Sequence, residues 1–225
     1  EKGVNPMAEK KLRHAYLIMT HGNFPILEKQ LRFLDSENAD FFLHIDADVP
    51  SLEQYRALTQ KSTVSFLERK KVYWGDLTQI ECELRLLEKA VTGGYDYYHL
   101  LSGVDVPVKP REYIEDYFAR SPGTNYVKFQ SREASGHHLD RVKYYYPLQK
   151  KNIRSRPLRT VLRELTVLPQ RLIGIDRTRQ WPGTVFQKGT NWFDITHELA
   201  CHVVSQKERI REMYRSTCCA DEMFL

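Results

Sequence analysis

Three acidic positions follow short apolar runs and could do chemistry there. Asp46-Ala47-Asp48 comes after Phe41–Ile45, Asp105 closes Ser102-Gly103-Val104-Asp105 after Tyr97–Leu101, and Asp221-Glu222 stands near the end of the sequence. Hard cations prefer carboxylate oxygens, so Asp46 and Asp48 could hold Mg or Mn beside a diphosphate. Acids after strands equally cap turns or accept hydrogen bonds from ribose hydroxyls, and that reading stays open. Glu222 could take a proton from a sugar hydroxyl, or simply be a solvated charge. Trp74, just before Gly75, could stack on a base or belong to the core, and the same choice holds for Trp192 after Lys188-Gly189-Thr190. His21, His44 and His99 lie near the ends of expected strands, but none has a second ligand at a spacing such as HxxxH, which favours structural roles over zinc.

The elements that must position these residues follow from periodicity. Ala15–Thr20 reads as a buried strand ending at His21-Gly22-Asn23, and Pro25 opens a helix with Ile26, Leu27, Leu31 and Leu34 at helical spacing. A second strand, Phe41–Ile45, is followed by a polar helix with Leu52, Tyr55 and Leu58 and a short strand at Val64–Leu67. A long helix is expected over Leu77–Val91, ended by Gly93-Gly94, then a strand over Tyr97–Leu101. Arg111–Phe118 reads as helix, Tyr126–Phe129 and Gly189–Ile195 as strands, and a further helix starts at Thr196-His197-Glu198. Residues 132–179 hold amphipathic patches (Leu158, Val161, Leu162, Leu165, Leu168) among many cations and are left unassigned. Alternating strands and helices imply an α/β fold with ligands at the carboxyl ends of the strands.

Composition narrows the class. The 225 residues are 41% hydrophobic and 28% charged, enough for one well-filled domain and too apolar for a disordered or low-complexity chain. No apolar run reaches the roughly 18 residues of a spanning helix, and no signal-peptide h-region precedes residue 15. Four cysteines without a CxxC pair argue against a disulfide scaffold or a zinc knuckle. The formal charge of +5 is concentrated between Arg141 and Arg179, where Glu164 and Asp176 are the only acids; this asks for an anionic neighbour, and with no nucleic-acid module beside it the stretch reads as a basic solvated surface or a contact with acidic lipid rather than an RNA site. The absence of GxSxG, Walker A and GxGxxG sequences argues against a serine-hydrolase elbow, a P-loop and a dinucleotide-binding turn.

With these segments in view, the chain resembles the core-2/I-branching β-1,6-N-acetylglucosaminyltransferase family, which includes peptide O-xylosyltransferases, and in particular its short bacterial members. The resemblance runs in order through Thr20-His21-Gly22, Leu43–Asp46, Val72–Gly75, Tyr98–Lys109, Lys188–Phe193 and Asp221–Phe224. Its most specific element is Leu-Leu-Ser-Gly-x-Asp-x-Pro-x-Lys, residues 100–109.

That resemblance implies a single domain over residues 1–225, with residues 1–13 flexible, and a GT-A-like, Rossmann-type nucleotide-sugar transferase fold with a mostly parallel sheet flanked by helices. It further implies inverting transfer of GlcNAc or xylose from a UDP-sugar to a hydroxyl of a glycan or lipid-linked saccharide. No cofactor and no metal are expected, and no nucleic-acid partner. Glu222 is implied as the catalytic base; Thr20, His21, Asp46 and Trp74 as nucleotide-binding; Gly103, Asp105, Trp192 and Asp221 as substrate-binding. In the family the cations that stabilise the leaving diphosphate come from beyond the Asp-Glu motif. Here only three residues follow Glu222, so the expectation is either C-terminal truncation or substitution by a residue of the basic stretch. The missing anchor implies a cytoplasmic enzyme, peripheral at the inner face of a membrane. Two alternatives remain: a non-catalytic glycan- or nucleotide-binding protein of the same fold, and a metal-dependent transferase using Asp46 and Asp48.

Overall fold

The computed structural model describes residues 11–22, 24–50, 53–136, 138–148 and 155–225. The expectation for residues 1–13 therefore falls largely outside the described residues. Six strands form one sheet: β1 (His14–Thr20), β2 (Ala39–Ile45), β3 (Val64–Phe66), β4 (Tyr97–Ser102), β5 (Tyr126–Phe129) and β6 (Gly189–Thr196). Their spatial order is β3-β2-β1-β4-β6-β5. The first four run parallel, while β6 is antiparallel to both β4 and β5. This is the mostly parallel, helix-flanked sheet that the alternation of elements implies.

The parallel strands are mostly apolar, His14, Asp40, His44 and His99 among the exceptions, because both faces are covered. Along β1 the period of two sends Ala15 and Leu17 to one core and Tyr16 and Ile18 to the other. The first core is closed by α2 (Leu77–Val91), which buries Ile80, Leu84 and Leu87. The second is closed by α1 (Phe24–Leu34), which buries Leu27, Leu31 and Leu34. Gln30 of α1 is buried with them, and its Nε2 donates to the Ser102 carbonyl at 3.2 Å, tying α1 to the end of β4. A polar chain crosses the sheet interior: Asp194 Oδ1 lies 2.7 Å from His99 Nδ1, and His99 Nε2 lies 2.9 Å from His14 Nδ1. His99 is thus structural, and burial lowers the pKa of His14 to about 3.

Elsewhere the structure adds detail. The expected polar helix near Tyr55 is a 3₁₀ stretch, Glu53–Leu58, and Leu52 lies outside the described residues. α3 spans Arg111–Arg120. The unassigned segment contains α4 (Arg132–Gly136), α5 (Asp140–Lys143) and the 17-residue α6 (Arg156–Leu172), capped by Ser155. α7 (His197–Ser205) runs into α8 (Lys207–Tyr214), a helix the sequence pattern did not announce. Among the described residues no helix is long and apolar enough to cross a membrane.

Candidate functional site

In an open α/β sheet the crevice forms where the chain reverses its direction of growth, here between the carboxyl ends of β1 and β4. Thr20 ends β1, and Gly103 follows β4 with its amide donating to the Met19 carbonyl at 2.9 Å. The approach is so close that a Cβ on Gly103 would collide with the Thr20 side chain. Only glycine lets the two strand ends meet this way. Thr20 is buried, and its hydroxyl donates to the Gly22 carbonyl at 3.1 Å, shaping the turn on which His21 is exposed. Asp105 folds back on the same loop: its Oδ2 accepts from the Ser102 amide at 2.7 Å, and its own amide donates to the Ser102 carbonyl at 3.1 Å.

Asp46 joins this rim through its amide, which donates to the Thr20 carbonyl at 2.9 Å. Its carboxylate is buried and engaged on both sides, Oδ1 accepting from the Asp48 amide at 2.9 Å and Oδ2 from the Val72 amide at 2.8 Å. Asp48 instead pairs with Lys71 at 2.6 Å. The two acids therefore do not converge: one organises the loop leading to Trp74, and the other neutralises a lysine. Among the described residues no group of three or more His, Cys, Asp or Glu side chains is arranged to hold a metal ion.

Through Val72 the rim continues to the Tyr73–Asp76 turn, where Trp74 is 71% exposed. Side chains from the first turn of α2 fasten this turn. Asp76 caps the helix by accepting from Thr78 N, Thr78 Oγ1 accepts from Tyr73 N at 2.9 Å, and Gln79 Oε1 accepts from Gly75 N. Gln79 also donates through Nε2 to Asp221 Oδ2 at 3.3 Å. Gly75 has φ +72° and accepts at its carbonyl from the Cys219 amide at 2.8 Å; a Cβ there would stand 2.8 Å from Cys219 Sγ. The Trp74 loop and the Asp-Glu segment are thus fastened together.

Asp221 and Glu222 sit on a single 3₁₀ turn, Ala220–Glu222, entered through Cys219 in the left-handed region at φ +48°. Such a conformation costs a non-glycine residue roughly 1–2 kcal/mol and persists only where its surroundings enforce it. Here Arg141 of α5 supplies much of that constraint: its carbonyl accepts from Cys218 N at 3.0 Å and its guanidinium donates to the Cys219 carbonyl at 3.2 Å. The two acids of the turn have different environments. Asp221 points inward, and burial raises its pKa, with the neighbouring Glu222 charge adding to the effect. Behind it Glu83 of α2 is fully buried, neither carboxylate oxygen has a protein partner, and desolvation lifts its pKa well above the ordinary range.

Glu222 points the other way, into a cleft of about 240 Å³ lined also by Lys128, Gln130, Lys188, Asn191 and Trp192. Its Oε2 is paired with Arg141 Nη1 and lies 3.3 Å from Lys188 Nζ. Trp192 is 41% exposed and so belongs to the cleft wall rather than the core. Gly189 permits this assembly, since a Cβ there would press on the Lys128 carbonyl and come within 3.6 Å of the Glu222 carbonyl.

The residues singled out in the sequence thus fall into two joined groups: Thr20, His21, Asp46, Gly103 and Asp105 at the parallel strand ends, and Trp192, Asp221 and Glu222 at the start of β6. The loop carrying Trp74 links them. Arg141, Lys188, Gln130 and Gln79 escaped the sequence reading as site residues. The signals present were that Arg141 opens the basic stretch and Lys188 opens the Lys-Gly-Thr-Asn-Trp-Phe segment.

Comparison with known proteins agrees with this architecture. The chain matches the family of the Core-2/I-Branching enzyme over residues 14–225. No curated protein matches the sequence. The match takes in every strand of the sheet and both groups of site residues, and the fold is consistent with the GT-A-like fold of that family. The chain belongs to the core-2/I-branching enzyme family, and is therefore a member of a family of glycosyltransferases, which take a nucleotide-sugar donor and a glycan acceptor.

Proposed function

We propose that the protein is an inverting, metal-independent glycosyltransferase that moves GlcNAc or xylose from a UDP-sugar to a hydroxyl of a glycan or lipid-linked saccharide. The observation that carries this reading is Glu222, set at the mouth of a cleft and flanked by two cations. In the reaction Glu222 accepts the proton of the acceptor hydroxyl as that oxygen bonds to the anomeric carbon. The bond from that carbon to the diphosphate oxygen breaks on the opposite face, and UDP departs with the electron pair. The configuration inverts in one displacement through a transition state of oxocarbenium character, as in glycoside hydrolysis.

Charge accumulates on the diphosphate as this bond breaks, and donors already in place stabilise it most. Arg141, a member of the basic stretch, and Lys188 both bind the Glu222 carboxylate, so they stand on the acceptor side, opposite the departing diphosphate, and position the base. The rim around Thr20, His21, Asp46 and Trp74 takes the nucleotide, with the exposed Trp74 ring as a stacking surface; Gly103, Asp105, Asp221 and Trp192 border the sugars. Asp46 acts by setting the course of the loop to Trp74, since both its oxygens already accept backbone amides. That commitment, with Asp48 held by Lys71, favours the metal-free reading over one in which Asp46 and Asp48 share a cation.

The test is calorimetric titration of a panel of UDP-sugars in EDTA, run with the wild type and Glu222→Gln. One donor should bind in EDTA, binding should survive in the variant, and transfer should fall by at least about 10²-fold. Donor binding or turnover that requires added Mn would support the metal-dependent alternative, and donor binding with no turnover in the wild type the non-catalytic one.

A further inference from the structure

Helix α6 is amphipathic in an inverted sense. Its inner side rests on residues 144–146: Val167 is buried against Tyr144 and Tyr146, Arg163 lies over the Tyr146 ring at 5.7 Å, and Gln170 exchanges hydrogen bonds with both backbone groups of Tyr145. The opposite side carries Leu158, Val161, Leu165, Leu168 and Leu172, a stripe at helical spacing, with each of the five more than half exposed and Leu172 at 80%. Ile173 extends it past the helix end at 75% exposure. The stripe runs over fifteen residues, or about 21 Å of helix. A soluble protein normally turns such a face inward.

The charge around the stripe decides what covers it. The helix sequence holds Arg156, Arg159, Arg163 and Arg171 against the single acid Glu164, within a segment whose other basic residues include Lys150, Lys151 and Arg154. Pairing two copies stripe to stripe would set one net-positive element against another. An anionic lipid surface satisfies both features at once, because the aliphatic stripe enters the headgroup boundary while the net positive charge of the segment is drawn to lipid phosphates. We propose that α6 lies in the plane of an anionic membrane interface, with Leu158, Val161, Leu165, Leu168 and Leu172 inserted, and so attaches the protein peripherally. The inference rests on the surface of α6 alone and is independent of the transfer reading; its test measures binding, not turnover.

The experiment is co-sedimentation with vesicles of phosphatidylcholine alone and of phosphatidylcholine mixed with phosphatidylglycerol, using the wild type and Leu165→Gln/Leu172→Gln. Both substituted side chains are exposed, so thermal unfolding of the variant should match the wild type. Binding is expected to the anionic vesicles only, and the double variant should bind at least about tenfold more weakly at the same salt. A second readout is Leu165→Trp, whose emission should shift to the blue on adding anionic vesicles. No binding at low salt overturns the proposal, as does binding that the double variant keeps in full, which would mean attraction by charge alone. Self-association that the double variant abolishes would overturn it in favour of an interface between copies.

Discussion

The carboxylate of Glu222 is held by the guanidinium of Arg141, 81 residues earlier in the chain, and the same guanidinium also binds the Cys219 carbonyl. One cation therefore fixes both the turn that carries Glu222 and the carboxylate itself. If Glu222 is the base of the proposed transfer, Arg141→Ala should lower kcat by at least about 10-fold, part of the roughly 10²–10⁴-fold that a positioned base supplies, because the carboxylate loses the donor that orients it. Arg141→Lys should recover part of the loss, because it restores the charge without the second hydrogen bond. Steady-state rates with the donor identified by calorimetry, together with thermal unfolding, check this; a purely structural Arg141 would lower stability while leaving kcat per folded molecule unchanged.

The two oxygens of Asp46 serve two amides, those of Asp48 and Val72. Asp46→Asn keeps the size but turns an NH₂ group toward one of those donors, leaving an amide unmatched. The expected cost is about 1–3 kcal/mol in urea unfolding, with weaker donor binding because the loop to Trp74 loses its tether.

Gly103 meets the Thr20 side chain too closely for a Cβ. Gly103→Ala should therefore cost about 1–3 kcal/mol through overpacking. The same substitution in a Thr20→Gly background should cost less, because both colliding atoms, Oγ1 and Cβ, are gone. A double-mutant cycle in chemical denaturation measures the coupling, which should relieve at least about 0.5 kcal/mol.

Glu83 is buried without protein partners, and its pKa is raised by desolvation and then by the Asp221 charge. An acid that binds its proton more tightly when folded contributes stability below its unfolded pKa, near 4.5, and that contribution is lost as pH rises toward the folded value. Glu83→Gln should flatten the fall in Tm above about pH 4.5, and at pH 7–8 should raise Tm by about 2–4 °C or more. Calorimetric scans from pH 5 to pH 8 decide this; an unchanged slope would mean that Glu83 does not carry the pH dependence.

The sheet was legible in the sequence because its parallel strands are buried on both faces. Phe41–Ile45 and Tyr97–Leu101 are apolar runs broken only by His44 and His99, and Leu77–Val91 keeps a helical period bounded by Asp76 and Gly93. Residues 132–179 were not legible for the converse reason: the apolar period of α6 is present but faces outward, so it gave no account of how the segment packs. Glu222 came from the resemblance, and its place in a cleft came from the structure. Its partners were hidden because Arg141 and Lys188 reach it by tertiary contact from separate elements, and nothing in local spacing distinguishes them from other cations.

Because β6 runs against β4, its beginning lies at the same edge of the sheet as the ends of β1, β2 and β4, and that edge has two walls of independent origin. One is the set of turns after β1, β2 and β4; the other is the cleft at the exit of β5 and the entry to β6, around Lys128, Gln130 and Asn191. Insertions or exchanges in the second wall leave the hydrogen bonds of the first untouched. Exchanges confined to the side chains of Gln130 and Asn191 therefore reshape the opening of the cleft while Lys188, Gly189 and Glu222 keep their contacts.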